Sequence, residues 1–229
     1  MSKSSDLVMT GSMSSNVSLT ITEKSGITRK RTISMISKNY PDSSVKRLIK
    51  FIEPAIVRGT TLLFIDNKNT QDEVWIHLPA LKKTRRIVSS ERGKSFMSSE
   101  FSNSDMSSPS LADFTFKHFT GSGENNQWII ESTPVNNEKA EEYGYSKKIT
   151  YLNSDTWQVT KMEFYNFDKQ LFKILEVKGI QTLEGGKYII KNMTSKNIHT
   201  GKSSEILLDK IETNAKIDDS VFSIQNMGK

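Results

Sequence analysis

The sequence of 229 residues contains no cysteine. A disulfide framework, a thiolate zinc site and a cysteine nucleophile are therefore excluded. The same absence does not indicate whether the protein works in a reducing or an oxidising compartment. Histidine is nearly as scarce. His77, His118 and His199 stand far apart and none belongs to an HExxH or HxH pair, so we expect no metal site.

Long apolar runs and the common catalytic motifs are also missing. No run approaches the roughly eighteen consecutive apolar residues of a membrane-spanning helix, and the opening MSKSSDLVMTGSMSSN lacks the apolar middle of a signal peptide. The chain has no GxSxG elbow, P-loop or GxGxxG motif, and acidic pairs such as Asp218 and Asp219 lie in polar segments. We predict a protein without enzymatic activity or cofactor, either cytoplasmic or the processed form of an exported protein.

Positive charge is concentrated in the first half of the chain. Lysine and arginine number 32 against 26 aspartates and glutamates, which gives a formal net charge of +6. Residues 1–120 hold 18 of the basic residues and 11 of the acidic ones, which leaves 14 and 15 for the remainder. This asymmetry predicts an acidic partner, which could be nucleic acid, anionic lipid headgroups or an acidic protein.

Strict alternation of apolar and polar residues is the main secondary-structure pattern. The segment VSLTIT places Val17, Leu19 and Ile21 on one face of a strand, and similar segments recur between short turns, although residues 43–54 fit a short helix or a strand. We predict one domain, residues 1–229, of the mainly β (α+β) class, with about ten strands in a single antiparallel sheet. A sheet of that size must curl, so we expect an incomplete, half-open β-barrel with an apolar concave face.

The segment from Pro79 to Phe119 breaks this pattern. Pro79 should end a strand because it has no N–H to donate. We expect a long loop after it, with a short helix near residues 110–114, lying across or beside the opening of the barrel. At the end of the chain, Asp218 or Asp219 is expected to cap a helical turn.

A dense basic cluster follows Pro79. Its members are Lys82, Lys83, Arg85, Arg86, Arg92 and Lys94. Three interpretations stay open: a solvated loop face, a phosphate-binding surface for nucleic acid, or an electrostatic guide beside an apolar pocket. Nucleic acid is disfavoured because no aromatic residue lies between Trp75 and Phe96 to stack on bases.

The arginines of the basic cluster invite separate expectations. Arg85 and Arg86 are adjacent, so on an extended chain their side chains point to opposite sides. One could pin the loop through Glu100 or Asp105, and the other could face a lipid phosphate or an acidic membrane partner. Arg92 is expected to be a solvated loop charge.

Three segments carry a resemblance to a known family. GTTLLF at residues 59–64, WIHLPALKKTRRI at 75–87 and SFMSSEFSNSD at 95–105 resemble, in order and spacing, the central signature of the outer-membrane lipoprotein-sorting (LolA-like) proteins of Gram-negative bacteria. Ser98 stands where that signature usually has glycine. The TITEKSGITRKRT hairpin and the closing DDSVFSI resemble the ends of the family, so the resemblance covers nearly the whole chain.

The resemblance implies a function that the composition does not. It implies a periplasmic, processed, monomeric protein whose half-open barrel, covered by short helices and loops, carries acyl chains of lipoproteins or free lipid toward the outer membrane. An inner- or outer-membrane transport protein would be its partner, and nucleic acid would not. The alternative is a docking or accessory module of a cell-envelope transport complex, with a core filled by its own side chains.

Apolar side chains with suitable position and shape are the candidates for a cargo-binding cavity. Methionine and phenylalanine suit a flexible ligand because they repack easily. The candidates are Leu63, Trp75, Phe96, Met97, Phe101, Met162, Phe164 and Phe172. For each of them the alternative is ordinary hydrophobic core.

Overall fold

The architecture is one open antiparallel sheet. A computed structural model describes residues 2–8, 11–68, 70–120 and 127–228. In these ranges the strands are β1 (Ser12–Thr22), β2 (Thr28–Asn39), β3 (Val45–Glu53), β4 (Thr61–Asp66), β5 (Glu73–Leu78), β6 (Lys83–Ile87), β7 (Phe114–Thr120), β8 (Gln127–Pro134), β9 (Lys147–Asn153), β10 (Val159–Tyr165), β11 (Leu171–Thr182), β12 (Tyr188–Asn197) and β13 (Ser203–Thr213).

The strand order is β6-β5-β4-β3-β2-β1-β13-β12-β11-β10-β9-β8-β7. The first and last strands therefore meet in the middle of the sheet, and β6 and β7 form its two free edges. The sheet does not close on itself, and it curls around a core on its concave side, which we call the inner face. This is the mainly β, half-open barrel that the sequence predicts, with thirteen strands rather than about ten.

Alternation along the strands separates an inner and an outer apolar cluster. On β4, Leu62 and Phe64 belong to the large inner core, whereas Leu63 belongs to a smaller cluster with Phe222 and Met227. Successive side chains of a strand point to opposite faces. The smaller cluster therefore lies on the outer face, under the end of the chain.

Short helices cover parts of the sheet. The α-helices are α1 (Ser2–Leu7), α2 (Ser89–Arg92) and α3 (Asn137–Tyr143), and the 3-10 helices are Pro79–Leu81, Ser104–Met106, Leu111–Asp113, Glu184–Gly186, Asp219–Phe222 and Ile224–Asn226. Helix α3 begins at the cap Asn136, whose side chain accepts a hydrogen bond from the amide of Lys139, and ends at Gly144 with a positive φ of 80°. Asp218 caps the turn at Asp219–Phe222, as predicted.

The structure decides one open alternative, corrects one local prediction and confirms another. Residues 45–53 form the strand β3 and no helix. Pro79 does end β5, but the following segment is not a continuous loop, because β6 and α2 lie within it. The short helix expected near residues 110–114 is the 3-10 helix Leu111–Asp113.

Several hairpin turns lie at one end of the barrel, and we call them the hairpin rim. They are the β1–β2, β3–β4, β5–β6, β10–β11 and β12–β13 turns, which share one end because the strands alternate in direction. Close contacts join neighbouring turns. Lys202 approaches Glu23 at 3.7 Å, and a Cβ on Gly59 would lie 3.1 Å from Pro79.

Candidate functional site

The inner face is the largest apolar surface of the protein. Its buried members come from strands across the sheet, from Ile87 on β6 to Phe164 on β10 and Phe114 on β7. Half-buried methionines such as Met35, Met162 and Met193 pack against this core. No second sheet covers the inner face in the described part of the chain. Residues 94–108, which we call the plug segment, lie against it instead.

The plug segment buries two phenylalanines against the inner core. Phe96 and Phe101 are both almost fully buried, and the ring of Phe96 lies 6.0 Å from that of Phe51 on β3. The amide of Phe96 donates to the carbonyl of Phe101 at 2.7 Å, which folds the segment back on itself. The turn between them keeps its tight shape because Met97 and Ser98 both adopt positive φ angles, 50° and 63°.

Polar contacts attach the plug segment to β12 and β13. The hydroxyl of Ser204 accepts from the amide of Glu100 at 2.9 Å, and the hydroxyl of Ser195 donates to the carbonyl of Glu100 at 2.9 Å. Farther along the segment, the ammonium group of Lys173 on β11 pairs with Asp105 at 2.7 Å, and both side chains are buried. These bonds satisfy polar groups of a segment that does not pair with the sheet as a strand.

The other half of the sheet holds the plug segment through arginines. The guanidinium groups of Arg31 on β2 and Arg47 on β3 donate to the carbonyls of Met97 and Met106. At the end of the segment, the amide of Ser108 donates to Asp66 at 2.9 Å. Burial raises the pKa of Asp66, although Arg47 and the bond from Ser108 oppose that shift. The plug segment is thus fastened to both halves of the curled sheet.

A buried ion-pair network joins the two short helices next to the plug segment. Arg92 of α2 pairs with Glu142 of α3 at 2.6 Å, and Lys139 approaches the same carboxylate at 3.0 Å. The helices also meet at glycines, since a Cβ on Gly93 would lie 2.6 Å from the Cα of Gly144. Helix α2 follows the edge strand β6, and α3 follows β8, which is the neighbour of the other edge strand, β7. The contact between the two helices therefore links the two edge regions of the sheet.

Asp72 borders this network. Its carboxylate lies 3.8 Å from Arg92. Burial raises the pKa of Asp72 to about 6, with the charges of Asp66 and Glu142 adding to the shift and Arg92 opposing it.

The structure brings together six of the eight predicted lining residues. Phe96, Phe101 and Phe164 are buried in the inner core, and Met97, Met162 and Phe172 are half-buried against it. Leu63 and Trp75 lie elsewhere, in the outer cluster with Phe222 and Met227. Whether the six contact a ligand stays a prediction.

The predicted basic cluster loses one of its six members, because Arg92 is buried while the other five are exposed. Lys82, Lys83 and Lys94 are exposed, but Arg92 is only 5% exposed, so the prediction of a solvated loop charge at this position is wrong. Its local neighbours are polar, but its partner Glu142 comes from a distant helix. Arg92 acts instead as a buried structural cation.

Arg85 and Arg86 have different partners, as their adjacency predicts, but not the predicted ones. Arg85 pairs with Glu91 at 2.7 Å and Arg86 donates to the carbonyl of Asp72 at 3.2 Å. Asp105 is paired with Lys173, and Glu100 faces Lys202 at 3.7 Å. Pinning through Glu100 or Asp105 is therefore wrong for both arginines.

Sequence reasoning missed the buried cations of the inner face, among them Lys148 on β9 and Lys173 on β11. The ammonium group of Lys148 lies 5.7 Å from the ring centre of Phe114 and 5.9 Å from that of Tyr145. Burial lowers the pKa of Lys148 to about 8, and nearby Lys173 adds to the shift while Asp105 opposes it. The alternation in KKITYL does place Lys148, Thr150 and Leu152 on one face, but it does not indicate that this face is the inner one.

Comparisons with known proteins identify the fold and the family. The chain is similar to a domain described as that of an outer membrane lipoprotein-sorting protein from Vibrio parahaemolyticus, with a TM-score of 0.90, 22% identity, and coverage of 100% of this chain and 96% of the other. It is also similar to a DUF1329 family protein from Desulfovibrio piger (TM-score 0.87, 23% identity, coverage 99% and 95%). A LolA superfamily protein from Nitrosomonas europaea gives a TM-score of 0.74 at 16% identity, with coverage of 97% and 94%.

A family model described as "uncharacterized protein" matches residues 43–229. The chain belongs to this family and has the LolA-like fold. The resemblance carried by the central motif is thereby confirmed at the level of the fold. No curated protein matches the sequence.

Membrane-spanning helices and metal-ligand clusters are both absent from the residues of this LolA-like chain that the structure describes. None of its described helices is long and apolar enough to cross a membrane. Within the same residues, no group of three or more histidine, aspartate or glutamate side chains could hold a metal ion.

Proposed function

We propose that the chain, acting as one LolA-like domain over residues 1–229, is a periplasmic carrier that binds acyl chains of lipoproteins or free lipid on its inner face. It would hold this cargo while the cargo moves toward the outer membrane. The observation that carries the proposal is an apolar inner face covered by the plug segment rather than by a second sheet. The proposal assigns the protein no catalytic step and no cofactor.

The side chains of the plug segment support this proposal. Phe96 and Phe101 occupy the apolar space that an acyl chain would take, and hydrogen bonds and the Asp105–Lys173 ion pair fasten the rest of the segment. A chain of about fifteen methylenes buried at roughly 0.8 kcal/mol each contributes on the order of 12 kcal/mol before the costs of binding. Displacing the segment exposes Phe96 and Phe101, at about 1.5–3 kcal/mol each, and exchanges its hydrogen bonds for water at about 1 kcal/mol each. Cargo could therefore displace the segment.

The hairpin rim supports delivery to an anionic lipid surface. Each of its turns exposes a large apolar side chain, and Ile56 in the β3–β4 turn is 92% exposed. Those side chains are Ile27, Ile56, Leu81, Phe167 and Ile198. Exposed cations stand beside these apolar side chains, and the cations outnumber the rim carboxylates Glu23, Glu53 and Asp168. The cations are Lys24, Arg29, Lys30, Arg58, Lys82, Lys83 and Lys169. Apolar tips among cations suit the headgroup region, where each cation adds about 1 kcal/mol.

Titration with a fluorescent fatty acid and with an acylated lipopeptide tests the carrier function. Met193→Glu places a charge on the inner face, where the carboxylate must be desolvated against the methylenes of a ligand. This desolvation costs several kcal/mol, which lowers the affinity for the ligand about a hundredfold or more. Leu207→Glu is the control, because Leu207 is exposed and lies next to Ile206, the cross-strand partner of Met193, but on the outer face. We expect binding by the parent and the control, and loss of binding in Met193→Glu.

A parent protein that binds neither probe would contradict the carrier function. Native mass spectrometry of gently purified protein gives an independent check, since a carrier should retain a lipid adduct. Absence of adduct and of binding would favour the docking module, in which the plug segment is a permanent part of the core.

A further inference from the structure

Lys148 is a buried cation on the inner face that lacks an acidic partner. Its side chain is 9% exposed, and its ammonium group faces the rings of Phe114 and Tyr145. Among the residues that the structure describes, no carboxylate lies within 4.0 Å of it. The nearby carboxylate of Asp105 already accepts from Lys173 at 2.7 Å and from the amide of Ser102 at 2.7 Å.

Two buried hydroxyl groups without partners stand beside Lys148. Ser132 on β8 is its direct cross-strand neighbour, and Thr150 lies two residues along β9 on the same face. Directly opposed side chains in a sheet have Cβ atoms about 5 Å apart, and diagonal neighbours stay within about 8 Å. Both residues are almost fully buried, and their hydroxyl oxygens lack any hydrogen-bond partner within the described structure. A buried polar group without a partner is unfavourable and unusual in folded proteins.

The charges around this group leave an excess of one positive charge. Lys148 and Lys173 contribute two positive charges, and Asp105 contributes one negative charge. Tyr143 and Tyr145, which also face this region, stay neutral because burial raises the pKa of both phenols. The carboxylate of Glu142 is taken by Arg92 and Lys139.

We propose that Lys148, Ser132 and Thr150 form a binding site for the anionic head of a single-chain amphiphile, either a carboxylate or a phosphate monoester. This inference rests on the carrier function and adds the chemical class of the cargo. One ammonium and two hydroxyl groups can donate to the oxygens of such a head, which satisfies all three groups at once. Leu152 and Phe164, on the same face of β9 and β10, offer apolar contacts for the first methylenes of the chain.

This site differs from the exposed basic cluster as a place for an acidic head. Exposed Lys82, Lys83 and Lys94 meet an anion that water and salt still screen. Lys148 meets it in the interior, where charge-assisted hydrogen bonds are stronger. The lowered pKa of Lys148, about 8, still leaves most of the amine protonated at neutral pH.

Titration with three twelve-carbon probes tests the site on the 229-residue chain after removal of bound lipid. The probes are dodecanoate, dodecyl phosphate and dodecanol, which share a chain and differ in the head. We expect the parent to bind at least one anionic probe about ten- to a hundredfold more tightly than dodecanol. Whichever anion binds more tightly identifies the head as carboxylate or phosphate.

Variants assign the preference to these residues. Lys148→Met and Thr150→Val should both reduce the preference for the anionic probe over dodecanol, and Lys148→Met should reduce it to less than about threefold. The affinity for dodecanol itself should not change. Lys148→Arg should retain the preference for the anionic probe. Lys147→Met is the matched control, because Lys147 lies on the outer face and pairs with Glu131 at 2.9 Å.

The outcomes separate this inference from the carrier function. Equal binding of acid and alcohol by the parent, or an unchanged preference in folded Lys148→Met, would overturn the anion site and leave the carrier standing. Failure of all three probes to bind would overturn both.

Discussion

Lys148→Met should stabilise the ligand-free protein. The change removes a buried charge that has no acidic partner and keeps a long apolar side chain of similar length. Burial, with the charge of Lys173, lowers the pKa of Lys148 from its ordinary value of 10.5 to about 8. A lowering from 10.5 to about 8 corresponds to roughly 3 kcal/mol of destabilisation by the charged form. We expect a gain of about 2–3 kcal/mol in the free energy of unfolding at pH 7.

The pH dependence gives a second, independent signature. Between pH 8 and 10.5 the unfolded chain still binds a proton at Lys148 while the folded protein has released it. The free energy of unfolding of the parent should therefore rise through this window, relative to the variant, and the advantage of Lys148→Met should shrink. Taking the difference between the two proteins cancels the tyrosines and other lysines that titrate in the same range.

Urea unfolding followed by circular dichroism measures both effects on delipidated protein, since a bound anion would stabilise the parent. Lys147→Met serves as the control and should change stability by less than about 1 kcal/mol, because its ion pair is half-exposed. A variant less stable than the parent at pH 7, or a difference that does not change between pH 7 and 10.5, would refute the reasoning. Either result would mean that the amine has a favourable partner in the folded protein.

A strained backbone angle, a buried ion pair and the hairpin rim can each be tested by one substitution. Ser98→Gly should raise the urea midpoint and increase the free energy of unfolding by up to about 1 kcal/mol, because glycine adopts the positive φ of 63° at this position without strain. A lower free energy of unfolding would show that the contacts of the Ser98 side chain outweigh its backbone strain. Arg92→Met should destabilise by about 3–5 kcal/mol because it breaks a buried ion pair, whereas Arg85→Met, which breaks an exposed one, should cost less than about 1 kcal/mol; equal costs would contradict the assigned burial. Ile56→Asp should weaken binding to anionic vesicles in a sedimentation assay without changing stability, and Leu207→Asp on the outer face should not; equal effects would remove the hairpin rim as the docking surface.

The strands could be predicted because alternation is a local property of the sequence. The segment VSLTIT forms most of β1 with Leu19 and Ile21 fully buried, as its pattern predicts. The strand β3 was ambiguous because both of its faces are apolar. Ile49 and Phe51 contribute to the inner core, while Leu48 packs against the outer cluster, so no clean period of two appears.

The polar part of the inner face could not be predicted, because its partners are distant in sequence. Arg92 resembles a loop charge until Glu142, fifty residues later, is placed beside it. Lys173 is similar, since its carboxylate Asp105 comes from the plug segment. Leu63 and Trp75 are cross-strand partners on one face, and alternation cannot show that this face is the one that the end of the chain covers.

If cargo reaches the inner face by displacing the plug segment, then fixing the segment to the sheet should block binding. The absence of cysteine makes the experiment clean, because Glu100→Cys with Ser204→Cys introduces the only two thiols. The amide of Glu100 lies 2.9 Å from the hydroxyl of Ser204, so the two backbones are close enough for a disulfide. Ser18→Cys with Thr32→Cys, a cross-strand pair of β1 and β2 away from the plug segment, is the control.

We expect the oxidised plug pair to bind fatty acid at least about tenfold more weakly than its reduced form, since a bond that prevents displacement leaves Phe96 and Phe101 in the space of the ligand. The control pair should bind equally in both redox states. Full binding by the oxidised plug pair would mean that cargo and the closed plug segment occupy the inner face together.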